Sequence, residues 1–372
     1  MGGACTPRRD RDSVWSLIVG TVLCSALFLV LCAVPAAANE TTTPITAIET
    51  LAGADAEATG VSCPPHSPCV AVDYTGNVYL LSGSRGIKVA AERDPLFGVS
   101  CPSVSFCAAD SESGMVVFLG SKSAFYPIYD STTQSDIHWQ SVSCTSSTFC
   151  MAGGGVVIGP DKGAGVISRW NGLVWSAIQV ADPKAGTPNN QISTMTCTSP
   201  TFCVAADQYE HTLQWNGTKW LFPARLNAPY TQNSFSVSCT SSRYCLAVGA
   251  IGNATVTWNG KRWEYQIVEP NFTLPPNSPS DAFFATVSCA SQTYCLAIDQ
   301  YGDASFWNGV YWSLVQAANP GPNDFALGLA CSTAWFCEAV TASDHCVYIH
   351  NRAHPPNLPY LCSEFACAGQ RV

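Results

Sequence analysis

The chain runs to 372 residues, 47% of them hydrophobic and only 12% charged, with a formal net charge of −9. Lysine and arginine total 17 and form no basic run, which excludes a phosphate-tracking surface for nucleic acid. The length admits one large domain or two ordinary ones, and the unusual features are 20 cysteines and 11 tryptophans.

At the N-terminus Arg8, Arg9 and Arg11 precede an uncharged stretch over residues 13–35, followed by Ala36, Ala37 and Ala38. Residues 1–38 therefore read as a signal peptide with a small-residue cleavage site. The apolar run also approaches the roughly 18–20 residues of a spanning helix, so an uncleaved N-terminal anchor is the alternative. Either way the positive-inside rule sends the rest of the chain outward. The expected location is secreted or extracytoplasmic, with the membrane reached only through an uncleaved N-terminus. Residues 39–54 follow as an N-terminal segment, in which 44–51 alternates as a strand does and is expected to close the ring described below.

A unit V-S-C-x5-C-x-A-V then recurs seven times with small variations. Its cysteine pairs are Cys63/Cys69, Cys101/Cys107, Cys144/Cys150, Cys197/Cys203, Cys239/Cys245, Cys289/Cys295 and Cys331/Cys337. Successive first cysteines lie 38, 43, 53, 42, 50 and 42 residues apart. Such a period marks a repeat architecture. In the sixth unit, residues 284–289 alternate, 295–298 form a short apolar run, and 304–307 and 311–315 flank Asn308-Gly309, a strong hairpin signal. Four strands per repeat without helical periodicity is the pattern of a propeller blade. The expected fold is all-β, a seven-bladed β-propeller with four antiparallel strands per blade over residues 55–352.

Five residues between cysteines, at the junction of neighbouring antiparallel strands, predict a structural disulfide inside each blade. Cα separations of roughly 4.4–6.8 Å are expected. Metal binding would call for C-x2-C or regularly spaced histidines, and neither accompanies the pairs. No metal or other cofactor is implied. Beyond residue 38 the cysteine count is odd, because Cys346, Cys362 and Cys367 stand outside the pairs. The last two lie in a proline-containing tail over residues 353–372. A bridge from Cys346 to that tail would pin the C-terminus.

The block W-N-G-x-x-W spans 170–175, 215–220, 258–263 and 307–312. Sugar platforms and interblade packing both suit these tryptophans; identical placement in four units favours packing. Together the V-S-C-x5-C-x-A-V and W-N-G-x-x-W elements resemble repeats of secreted actinobacterial proteins, whose blades are similar to the sialidase-like propeller superfamily. The resemblance covers residues 55–350 and implies fold and compartment. Sialidases carry S-x-D-x-G-x-x-W boxes at this hairpin and none stands here; among Arg85, Arg93, Arg169, Arg225, Arg243, Arg262, Arg352 and Arg371 no motif marks a substrate-binding triad.

No serine elbow, metal spacing or phosphate loop suggests catalytic residues. Acidic turns begin at Asp73, Asp110, Asp207 and Asp299. Aspartate and glycine are ordinary turn formers, and ligand binding is the competing reading. The links that vary in length, 181–193, 227–233, 268–282 and 317–324, belong to the face opposite the C-x5-C links. Loops on a rigid ring are where binding usually lives. The candidate ligand face is accordingly Asp73, Asp110, Asp207, Tyr209, Tyr230, Phe272, Asp299 and Tyr301. The expected function is a non-catalytic binding or scaffold module at the cell envelope, with a glycan or extracellular protein as partner. A sialidase-like glycan-acting enzyme and a structural envelope protein without a discrete ligand are the alternatives.

Overall fold

The computed structural model describes residues 45–50, 57–82, 85–128, 137–159, 162–180, 191–207, 211–225, 235–249, 255–266, 284–299, 302, 304–314, 326–333, 336–341 and 345–350. The expected signal segment, the tail with Cys362 and Cys367, and most of each long insertion lie outside them. No helix among the described residues is long and apolar enough to cross a membrane.

All described regular structure is strand. One strand, β1 (Ile45–Thr50), precedes the repeats. Sheet 1 holds β2 (Ala58–Ser62), β3 (Cys69–Asp73), β4 (Asn77–Ser82) and β5 (Arg85–Ala91). Sheet 2 holds β6 (Leu96–Ser103), β7 (Phe106–Ser111), β8 (Gly114–Leu119) and β9 (Lys122–Pro127). Sheet 3 holds β10 (Ile137–Ser146), β11 (Phe149–Gly159), β12 (Lys162–Trp170) and the short β13 (Gln179–Val180). Sheet 4 holds β14 (Ile192–Ser199), β15 (Phe202–Asp207), β16 (His211–Trp215) and β17 (Trp220–Arg225). Sheet 5 holds β18 (Phe235–Ser241), β19 (Tyr244–Gly249), β20 (Thr255–Trp258) and β21 (Trp263–Gln266). Sheet 6 holds β22 (Phe284–Ser291), β23 (Tyr294–Asp299), β24 (Ala304–Trp307) and β25 (Trp312–Leu314). Sheet 7 holds β26 (Ala326–Thr333), β27 (Phe336–Thr341) and β28 (His345–His350), with β1 hydrogen-bonded to β28 as its fourth strand.

The first strands adjoin in a closed cycle: β2 against β6, β6 against β10, and so on through β14, β18, β22 and β26 back to β2. They surround the axis of a β-propeller. The second strand of each sheet is sandwiched between neighbours, which is why its C-x-A-V sequence is apolar in succession rather than alternating. β3, β7, β15 and β23 are buried at every position.

Disulfides join all seven expected pairs, each within one sheet: Cys63–Cys69, Cys101–Cys107, Cys144–Cys150, Cys197–Cys203, Cys239–Cys245, Cys289–Cys295 and Cys331–Cys337. The expected spacing needs correcting. The Cα separations are 3.9–4.1 Å, shorter than the range for disulfides in general. The cause is the register. Cys144 and Cys150, Cys197 and Cys203, Cys239 and Cys245, Cys289 and Cys295, and Cys331 and Cys337 oppose each other directly across their ladders. In each case the next ladder step is a register shift. The second cysteine also packs the interior, and is not only a staple of its own hairpin. Cys203 is fully buried in the core between sheets 3 and 4, and Cys337 in the core between sheets 6 and 7.

The serine of V-S-C also has a structural job. In six successive junctions its hydroxyl, or that of Thr196, accepts the N–H of the next sheet's first cysteine. Cys101 donates to Ser62, Cys144 to Ser100, Cys197 to Ser143, Cys289 to Ser238 and Cys331 to Ser288, all at 2.9 Å, and Cys239 to Thr196 at 3.4 Å. Ser141, Thr194 and Ser236 add a second tier to Met195, Val237 and Val287. At the junction from sheet 7 back to sheet 1, Ala330 stands where the serine would be and has no hydroxyl to offer Cys63. There β26 and β2 approach closely: a Cβ on Gly328 would lie 3.0 Å from the Gly60 Cα, the same separation that a Cβ on Gly60 would have from the Gly98 Cα at the clamped junction between sheets 1 and 2.

Candidate functional site

The W-N-G-x-x-W hairpins are built for packing. Asn171, Asn216, Asn259 and Asn308 each accept two backbone N–H groups of their own turn at 2.9–3.1 Å. The following glycines take φ of 88–98°, which side chains disfavour. The two indoles of each hairpin stand 5.5–5.7 Å apart, tilted across the strand pair. Trp170, Trp215 and Trp258 then donate their Nε1–H to carbonyls of their own C-x5-C loop, at Ser147, Pro200 and Ser242.

The acids of the candidate ligand face separate into two kinds. Asp73 is fully buried and locks its own turn. Its Oδ1 accepts the N–H groups of Thr75 and Asn77 and the Thr75 hydroxyl, and its Oδ2 accepts the Asn77 amide and the Tyr79 hydroxyl, all at 2.7–2.9 Å. Asp207 accepts the His211 N–H at 2.8 Å and stands 2.7 Å from the His211 Nδ1. Asp299 is buried at the equivalent position, and its carbonyl accepts the Gly302 N–H. These three acids follow the second cysteine of their pair by four positions. Asp110 follows Cys107 by three, and side chains of a strand alternate. It therefore shares a face with Ala108, which belongs to the core between sheets 2 and 3. There it is fully buried with neither carboxylate oxygen properly hydrogen-bonded. Burial pushes its carboxyl up to about 7, against a weaker opposing pull from the backbone N–H groups of Asp110 and Gly98. The structure thus removes Asp110 from the loop face. Tyr209, Tyr230, Phe272 and Tyr301 lie outside the described residues.

A further acid escapes motif searching. Glu338 is buried, its Oε1 has no partner, and burial pushes its carboxyl up to about 8. A carboxylate oxygen of Glu338 and the sulfurs of Cys63 and Cys69 all lie within 4.8 Å of one another. Both sulfurs are held in a disulfide, so the cluster offers no thiolate to a metal. The signal was available in the repeat: the residue after the second cysteine is Val70, Ala108, Met151, Val204, Leu246 or Leu296 in six units and Glu338, after Cys337, in the seventh.

A cavity of about 190 Å³ opens between sheets 3 and 4, beside their Asn-Gly hairpins. β13 is short, and the flank of sheet 3 leaves Arg169, Ser176 and Gln179 lining the cavity with Trp215, Trp220 and Thr218 of sheet 4, while the Ser168 hydroxyl is engaged in donating to the Ser176 carbonyl. A guanidinium, hydroxyls and an amide beside paired indoles can hold a ligand with a carboxylate or carbonyl groups and one apolar face. This cavity is on the side of the short links, whereas the sequence pointed to the variable loops.

No protein-family model and no curated protein matches the chain. Solved structures do. YCF48 from Cyanidioschyzon merolae superposes with a TM-score of 0.61 at 10% identity, covering 83% of this chain and all of that one. A structure described as YCF48 bound to D1 peptide gives 0.58 at 12% identity, covering 82% and 96%. A streptogramin B lyase gives 0.61 at 10% identity, covering 82% and 98%. At such identities the likeness establishes the propeller fold alone.

Proposed function

We propose that the protein is a non-catalytic, extracytoplasmic binding propeller that holds an extended peptide segment of another protein. The observation that carries the reading is the cavity between sheets 3 and 4, lined by Arg169, Ser176 and Gln179 together with Trp215 and Trp220. Backbone carbonyls and an acidic side chain suit those donors, and an apolar side chain suits the indoles. A similar propeller is described as bound to a peptide, which agrees in kind. Seven disulfides, with the export segment expected at residues 1–38, support an oxidising compartment. The sialidase-like reading draws less support. The acids with raised pKa, Asp110 and Glu338, sit in interfaces between sheets, while Asp73 and Asp207 are engaged in their own turns.

The test is a screen of the secreted domain against a random peptide library and, in parallel, a glycan array. Peptide binding that Arg169→Ala or Trp220→Ala weakens at least about tenfold is expected, since loss of a central anchor costs more than about 1.4 kcal/mol. Binding confined to glycans would move the ligand class. Silence on both arrays would favour a structural envelope protein without a discrete ligand.

A further inference from the structure

The ring closes on a junction that differs from the other six in several independent ways. Ala330 replaces the clamping serine, so Cys63 is the one first cysteine whose predecessor sheet carries no hydroxyl at that position. The loop it opens, Cys63-Pro-Pro-His-Ser-Pro-Cys69, contains three prolines and an exposed histidine, His66, with φ of 55°. As in five of the other six pairs, the first cysteine is half-buried and the second buried: Cys69 is 1% exposed, so accessibility does not set this disulfide apart from Cys289–Cys295 and the difference rests on Glu338. Across the seam stands Glu338, within 4.8 Å of both sulfurs, where every other junction presents an apolar side chain to the neighbouring disulfide.

We propose that Cys63–Cys69 is a thiol-exchange site, with Glu338 as the acid–base group serving the Cys69 sulfur and an external dithiol as co-reactant. The steps balance. A thiolate of the dithiol attacks the Cys63 Sγ; a sulfur–sulfur bond forms between them as the Cys63–Cys69 bond breaks. The electron pair leaves on the Cys69 Sγ, which takes the carboxyl proton of Glu338. The second thiol of the dithiol loses its proton to solvent and displaces Cys63, which is protonated in turn. The protein disulfide is reduced to two thiols, the dithiol is oxidised to a disulfide, and Glu338 recovers its proton from water. The reverse sequence uses the Glu338 carboxylate to deprotonate Cys69. A departing thiolate buried in an apolar seam is poor, and a neighbouring carboxyl that keeps its proton near neutrality makes it a better one. Opposite Glu338 stand Ala330 on β26 and Tyr348 at the register position on β28; from sheet 1 come the two sulfurs, with His66 in the loop between them.

Native full-length protein would be exposed to dithiothreitol for graded times, alkylated, and read by peptide mass spectrometry. Cys63–Cys69 should open at least about tenfold faster than Cys289–Cys295 in the same molecules. The ratio of the two rates cancels the ionisation of the reductant. It should fall as pH rises through the titration of Glu338, and should become small and flat in Glu338→Gln. A merely structural glutamate would not impose that pH profile. Equal opening rates for the two disulfides, or a ratio whose pH profile survives Glu338→Gln, would overturn the proposal.

Discussion

A shift of one position decides what an aspartate does in this fold. Counted from the second cysteine, an acid at the fourth place turns into its own loop and is satisfied there, as Asp73 is by five donors. Asp207, four places after Cys203, follows the same rule. An acid at the third place, Asp110, enters the core between sheets. The sequence grouped them because both kinds precede turn residues; only the count from the cysteine separates them. The energetic sign follows. Asp110 is raised from 3.8 to about 7 in the fold, so the stabilisation from its protonated form is complete below about pH 4 and is lost as pH rises through 7. Above that the buried carboxylate costs on the order of 4 kcal/mol. Glu338, raised from 4.5 to about 8, acts in the same direction. The melting temperature should therefore fall between pH 5 and pH 8. Asp110→Asn should raise it by several degrees at pH 8 and leave it nearly unchanged at pH 4. Calorimetry at the two pH values checks this, and an equal shift at both would contradict a charge effect.

At the level of the strand, the repeat pattern was largely legible. Two apolar runs around C-x5-C and a hairpin at Asn-Gly locate four strands per unit, because strand alternation and turn chemistry are local. The role of the V-S-C serine was not legible, because its partner lies 39–54 residues away on another sheet. Local spacing identifies a residue's own hairpin; it does not say which groups a neighbouring sheet brings to it. The same limit hid the cavity beside Arg169, which depends on how short β13 is. The clamp can be measured. Ser288→Ala should destabilise by about 1 kcal/mol, the net worth of one hydrogen bond with its donor left buried. Ala330→Ser should stabilise by a similar amount by extending the series to the last junction. Denaturant midpoints for both variants test the pair, and a destabilising Ala330→Ser would show that the seam cannot admit the hydroxyl.

At the scale of the whole ring, closure must hold without the device used everywhere else. Six junctions join sheets that are consecutive in the chain and share serine or threonine clamps. The last joins the two ends of the chain, lacks the clamp, and buries Glu338. It is held instead by the apolar core that Val340, Ala330 and Phe336 share with Val61, Ala71 and Leu81, by the close approach of Gly328 to Gly60, and by the pairing of β1 with β28, from Ile45 opposite Ile349 to Thr50 opposite His345. The alternation of residues 44–51 pointed to such a strand because the segment had no other partner in the repeat. Removing residues 41–50 leaves sheet 7 with three strands and exposes the edge of β28, a template for pairing between chains. A propeller whose ends are not joined loses more than one strand's worth of stability, since sheets 1 and 7 can then part and expose the apolar faces between them. The truncated protein should melt well below the full chain and associate on gel filtration, whereas loss of one outer strand elsewhere, such as β25, should lower the melting temperature without opening the ring. An unchanged melting temperature for the truncation would mean that the contacts of β2 with β26 close the ring by themselves.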